Sequence, residues 1–156
     1  MQADSMDYNL LWLSGGIGAG GSGPAISLDI RISPVDRSKY YGLHFLTSQG
    51  FKVVDEVHTV ALVRGKCLNQ KYGFSGATAG IGPVWGKMSD FYSRNGLQVQ
   101  QNEAINFFTV GINLMAEVRF DPTKYTGAGF FVVANINTTY PYMGLMMHFS
   151  IGDLKP

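Results

Sequence analysis

A chain of 156 residues with 15 % charged side chains, 13 % aromatics and 20 glycines carries too little solvating charge for an ordinary soluble domain, yet is long enough for one packed core or one closed barrel. A net charge of +1 excludes the basic footprint of a nucleic-acid binder, and a lone cysteine, Cys67, excludes a disulfide framework and a cysteine-based metal site. No apolar run approaches the ~18–20 residues of a membrane helix, so any crossing falls to strands, which need only about 9–11 residues.

Period-two alternation runs along nearly the whole chain. The first predicted strand, 8–20, holds Gly16 and Gly18, and Gly20-Gly21-Ser22-Gly23 after it reads as a hairpin, since no helix follows to make a phosphate site. The second, 25–33, sets Ile26, Leu28, Ile30 and Ile32 on one face against Ser27, Asp29 and Arg31 on the other. The third spans 38–46 and the fourth 57–67, with Cys67 expected on the outer face at the strand end. The fifth, 72–85, is rich in glycine. The sixth, 105–120, lines one face with apolar residues from Phe108 to Phe120, far longer than the ~5–6 residues of a typical strand and suited to a tilted bilayer crossing. The seventh and eighth cover 125–135 and 142–151. An even number of strands brings both ends of the sheet to one side.

The connections differ in character. Pro34–Arg37, Asn69–Lys71 and Asp121–Lys124 are short polar turns, while 47–56 and 86–104 are long and hold the apolar loop residues Phe51, Phe91 and Tyr92, together with Arg94, as candidates for a partner surface. Aromatics gather at both strand ends, Tyr8, Trp12, Tyr40, Tyr41, Tyr72, Phe74, Phe120 and Tyr125 toward the short turns and Trp85, Phe107, Phe108, Tyr140 and Tyr142 toward the loops. Two such groups are expected to form girdles at the headgroup levels.

Bulky apolar faces on so many strands would overfill a narrow eight-stranded interior, so they are expected outside, with the polar faces lining the lumen. Asp29, Arg31, Arg64, Lys66, Glu117 and Arg119 are then expected to form a salt-bridged plug near the short turns, and Gly16, Gly18, Gly76, Gly80 and Gly82 to leave it room. The fold expected is all-β: a single eight-stranded antiparallel up-and-down transmembrane β-barrel over 1–156.

This pattern, with Gly15–Gly20, Ala61–Gly65, Ala79–Gly82 and the terminal Phe149-Ser150-Ile151-Gly152, resembles the small outer-membrane barrels such as the transmembrane domain of the outer membrane protein A family, and the small glycine-rich barrels of Bacteroidetes-type bacteria. The resemblance implies residence in a bacterial outer membrane, a signal peptide removed before this chain, and contact with outer-membrane lipid and lipopolysaccharide. It also implies a second envelope protein as a candidate partner, with no cofactor or metal. The chain departs from many such barrels by continuing past its last aromatic residue to Asp153–Pro156.

One pair has the residue types of catalysis: His148 and Ser150 share a strand face and resemble the His-x-Ser of outer-membrane lipid A deacylases. Their expected position in the lumen puts them out of reach of an acyl chain. His44 and His58, on adjacent strands, lack a third metal ligand and are expected to hydrogen-bond. The leading reading is therefore a non-enzymatic barrel with a structural, accessory or surface-interaction role. A lipid-modifying enzyme and a soluble lipocalin-like binder are the alternatives.

Overall fold

The computed structural model describes residues 10–20, 23–34, 39–49, 56–70, 72–89 and 104–154. They form strands β1 (Leu10–Gly20), β2 (Gly23–Ser33), β3 (Lys39–Gln49), β4 (Glu56–Gln70), β5 (Gly73–Ser89), β6 (Ala104–Phe120), β7 (Thr126–Ile136) and β8 (Tyr142–Gly152). Each strand pairs antiparallel with the next, and β1 pairs with β8, closing an eight-stranded barrel without free sheet ends. Connections 34–38, 71–72 and 121–125 share one end with the start of β1 and the finish of β8, the turn end. Connections 21–22, 50–55, 90–103 and 137–141 lie at the other, the loop end.

Alternation sorts the strands onto two surfaces, as the pleat requires. Outside stand large apolar side chains on every strand, among them Ile17, Leu62, Phe108, Val118, Phe149 and Ile151. A soluble monomer seldom exposes a contiguous apolar patch beyond a few hundred Å², whereas here the apolar surface encircles the molecule. It is the wall of a barrel that spans a bilayer.

The lumen is filled in three layers. At the turn end Trp12, Tyr40 and Phe74 pack with ring centroids 5.6–6.2 Å apart, joined by Leu10, Cys67 and Leu154. A polar layer follows. Toward the loop end an apolar layer of Leu46, Val57, Met115, Phe131, Val133 and Met146 completes the filling.

Several expectations are corrected here. Trp12, Tyr40, Phe74, Phe107 and Tyr142 point inward, so of the aromatics expected in the girdles those that face lipid are Tyr41, Tyr72, Phe120 and Tyr125 at the turn end and Trp85 and Phe108 at the loop end. Cys67 faces the lumen, because it shares parity on β4 with Gly65, which pairs with the inward Tyr40. The loop half of the lumen is mixed rather than polar throughout, its apolar cluster interleaved with buried Ser48, Thr59, Asn113 and Asn135. The five glycines expected inside are inside, but Gly18 and Gly76 make room for Met146, Phe74 and Tyr40 rather than for charges.

Gly65 shows how tightly this filling is fitted. A β-carbon there would run into the Tyr40 ring, 2.7 Å from Cε1. Gly65→Val therefore displaces the ring and breaks the 2.8 Å bond between Tyr40 Oη and Thr78 Oγ1. We expect a loss of about 1–3 kcal/mol in urea unfolding from micelles, the scale of overpacking. An unchanged midpoint would show that the ring moves freely.

Candidate functional site

The polar layer is one connected network. Arg31 on β2 reaches across the lumen to Glu117 on β6, donating from Nη1 to Oε2, while its Nη2 donates to Asp29 Oδ1 at 3.2 Å. Asp29 Oδ1 also lies 2.9 Å from His44 Nδ1 on β3. Glu117 Oε1 lies 3.5 Å from His148 Nε2 on β8 and 4.0 Å from Arg119 Nη1. Arg119 in turn donates from Nε to Asp121 Oδ1 at 2.6 Å. The Arg31–Glu117 pair spans opposite strands and works as a strut.

Every member of the network is at least 97 % buried. Burial of charge is tolerated only with partners, and the pairing supplies most of them. Aromatic faces supply the rest: Arg31 lies 5.3 Å from the Tyr40 ring centre, and Arg119 lies 5.4 Å from Trp12 and 4.6 Å from Phe74. On the other side the Phe131 ring meets His44 and His148 edge-on, at 6.0 and 5.5 Å. The charged layer is thus closed below by the aromatic layer and above by Phe131. Several of its atoms, including Arg31 Nε and Asp29 Oδ2, have no hydrogen-bond partner among the described residues.

Of the six residues expected in the plug, Asp29, Arg31, Glu117 and Arg119 come together. Arg64 and Lys66 do not; both point out from β4 onto the wall, Arg64 lying 5.5 Å from the ring centre of Tyr41. On β4 polarity misleads, because the inward face is made of small or apolar residues (Ala61, Val63, Gly65) that leave space for Tyr40. Asp121, His44 and His148 join the network without having been assigned to it. For Asp121 the signal was present: it continues the two-residue spacing of Glu117 and Arg119, but Asp-Pro reads as a turn.

His148 and Ser150 both face the lumen and are buried, and Ser150 Oγ is 2.6 Å from Ser14 Oγ. His58 sits on the wall near the loop end, bonded to Glu56 Oε1 at 2.8 Å and Thr47 Oγ1 at 3.0 Å, and stacked on Trp85. It is therefore separated from the inward His44. Among the described residues no group of three or more His, Cys, Asp or Glu is placed to hold a metal. Tyr8, Phe51, Phe91, Tyr92 and Arg94 lie outside the described residues.

No family model matches the sequence, and a search of curated proteins finds no match. Solved structures do match in shape. The N-terminal β-barrel domain of Pseudomonas aeruginosa OprF aligns with a TM-score of 0.65 at 7 % identity, over 94 % of this chain and 99 % of that one. The attachment invasion locus protein Ail of Yersinia pestis aligns at 0.62 and 10 % identity, over 94 % and 99 %. Neisserial surface protein A (NspA) aligns at 0.58 and 8 % identity, over 92 % and 96 %. All three are small eight-stranded outer-membrane barrels. At such identities the likeness carries the fold: this chain folds as a closed eight-stranded antiparallel β-barrel of the outer-membrane type.

Proposed function

We propose that the protein is a non-enzymatic barrel of a bacterial outer membrane that acts through its outer surfaces, the loop-end hairpins and the lipid-facing wall, as an accessory or surface-interaction component. The observation that carries this reading is the β5–β6 hairpin. Its ladder runs to Ser89↔Ala104, while β7 pairs with β6 only as far as Ile112↔Ile136. Residues 104–111 of β6 therefore rise beyond β7, about 26 Å along the strand at ~3.3 Å per residue. Phe108 and Val110 stay exposed on this ribbon, and the longest connection, 90–103, joins its two strands. Such an edge offers backbone groups and apolar side chains to a partner. The lumen supports the same reading, since buried side chains of three layers occupy it.

Replacing 90–103 with a two-residue turn tests it. The shortened protein should keep its heat-dependent gel migration, because the barrel closes without that loop. A photo-crosslinking residue at Phe108 should lose its cell-surface adducts, whereas one at Val118, low on the same strand, should be unaffected. Retained adducts at Phe108 would refute a role for the 90–103 connection, and absence of adducts at Phe108 in the intact protein would refute the hairpin as the interaction surface. Steady single-channel conductance of the intact protein in planar bilayers would refute the plugged lumen.

A further inference from the structure

We propose that the outer wall at the loop end binds a glycolipid with a neutral sugar headgroup, its ring lying on Trp85 and Phe108 and its hydroxyls bonded by Glu56, Lys87 and Asn106. The site rests on the reading of the wall as lipid-facing. On the ladder of β5 and β6 the outward pairs run from Ile81↔Ile112 through Pro83↔Val110 to Trp85↔Phe108 and then Lys87↔Asn106. They pass from apolar through aromatic to polar, the order of hydrocarbon, interface and headgroup. On the neighbouring ladder that order is broken. Thr47 and His58, outward partners on β3 and β4, occupy the same row of cross-strand partners as Trp85 and Phe108. Rows climb toward the loop end as they run round the barrel. The row that begins at Lys39, the first residue of β3, arrives by way of Leu145 at Ala19, next to the loop-end residue of β1. Thr47 and His58 thus lie deeper in the wall than the aromatic pair, where a girdle alone would have apolar side chains.

An ionisable side chain at membrane depth carries a desolvation cost and so marks a site. This one is arranged round an indole. His58 has both ring nitrogens engaged, Nδ1 with Thr47 Oγ1 at 3.0 Å and Nε2 with Glu56 Oε1 at 2.8 Å. The imidazole plane is thereby fixed, and it stacks on Trp85 with ring centroids 5.5 Å and planes 29° apart. An indole held in place offers its surface to a ligand without the entropy cost of ordering it. Trp85 remains 37 % exposed, and Phe108, its cross-strand partner, 73 %.

An aromatic platform bordered by polar groups fits a sugar, whose C–H face is apolar and whose hydroxyls both donate and accept. The row above the platform covers both roles: Glu56 accepts, Lys87 donates and the Asn106 amide does each. Glu56 and Lys87 are direct cross-strand partners of opposite sign, so the row favours a neutral polyhydroxyl group over a phosphate or an ammonium. Below the platform Pro83 and Val110, then Ile81 and Ile112, continue the wall without a polar side chain. A sugar carried on acyl chains therefore meets its complement at both levels. A free sugar meets it at one.

The test is native mass spectrometry of the full chain, refolded in a sugar-free detergent and titrated with glucosyl diacylglycerol. Phosphatidylcholine of the same chains runs in parallel, and methyl glucoside serves as competitor. The glucosyl lipid should be retained in preference to phosphatidylcholine, and methyl glucoside at equal concentration should fail to displace it. Trp85→Leu should weaken retention of the glucosyl lipid about tenfold and leave phosphatidylcholine unaffected. Tyr125→Leu, in the turn-end girdle, should change neither. Asn106→Leu keeps the stack and should weaken the glucosyl lipid as well; it takes the place of Trp85→Leu should that variant not fold. Equal retention of the two lipids, an equal effect of Trp85→Leu and Tyr125→Leu, or displacement by methyl glucoside would overturn the site. Heat-dependent gel migration separates the two failures: a wild-type chain without it refutes the membrane barrel, whereas a shifting barrel indifferent to these variants refutes only the sugar site.

Discussion

Arg31→Met should be among the most destabilising single substitutions in this barrel, with a loss of about 3–5 kcal/mol. Arg31 is fully enclosed and is the partner of two carboxylates, Asp29 and Glu117, on opposite sides of the lumen. Methionine fills much of the volume but leaves both anions in a low-dielectric interior. Asp29 keeps only His44, and Glu117 keeps the longer approaches of His148 at 3.5 Å and Arg119 at 4.0 Å. The cost is that of stranded charge, not of lost packing. The double variant Arg31→Met/Glu117→Leu should therefore recover more than about 1 kcal/mol relative to the sum of the singles, because it removes one stranded anion together with its partner. Urea unfolding in micelles, followed by Trp fluorescence, reads all three midpoints. A loss below about 1 kcal/mol for Arg31→Met would mean that the network contributes little and that the aromatic and apolar layers hold the lumen by themselves. Conductance should stay absent in either case. Trp12, Tyr40 and Phe74 close the lumen below the strut, and Phe131 with Met146 closes it above.

The strand plan was legible because a barrel wall has one simple rule, apolar toward lipid, repeated at period two. Strands β2, β6 and β8 obey it at nearly every position, so their faces could be read directly, and with them Asp29, Arg31, Glu117 and Arg119. β4 was not legible in the same way. Its charged side chains stand on the outward face, against the rule the other strands follow, and what decides the faces is size: Gly65 must lie under the Tyr40 ring, and that cross-strand fit turns Arg64 and Lys66 outward. Such a fit involves residues far apart in sequence and leaves no mark in the local pattern. The inward aromatics were hidden for a related reason. Trp12 and Tyr40 have the amphipathic character of girdle residues and Phe74 the strand-end position, yet here all three cap a charged layer. A wide lumen has no use for them there, while a narrow one is filled by them. The same outward turn of Arg64 and Lys66 that weakens the expected plug places both side chains on the wall.

Leu28→Arg should destabilise the protein in lipid by about 2–4 kcal/mol, and the sign of this effect tests the membrane assignment itself. Leu28 is the middle residue of β2, faces outward, and pairs with Gly15 on β1 and Phe45 on β3. In a water-soluble barrel the change would remove an exposed apolar side chain and add a solvated cation, with an effect within about 0.5 kcal/mol. In a bilayer the guanidinium must be dragged to a headgroup region or hold water within the hydrocarbon, and either route costs free energy. The inward neighbour gives the internal control. Ser27→Ala removes a buried hydroxyl that has no hydrogen-bond partner among the described residues, so it should shift the midpoint by less than about 1 kcal/mol in micelles and vesicles alike. Folding into phosphatidylcholine vesicles across a urea series measures both variants. The Leu28→Arg penalty should grow as the acyl chains lengthen, because a thicker hydrocarbon core sets the charge farther from water. A penalty that is small and independent of chain length would place this face in water and overturn the orientation of the whole wall.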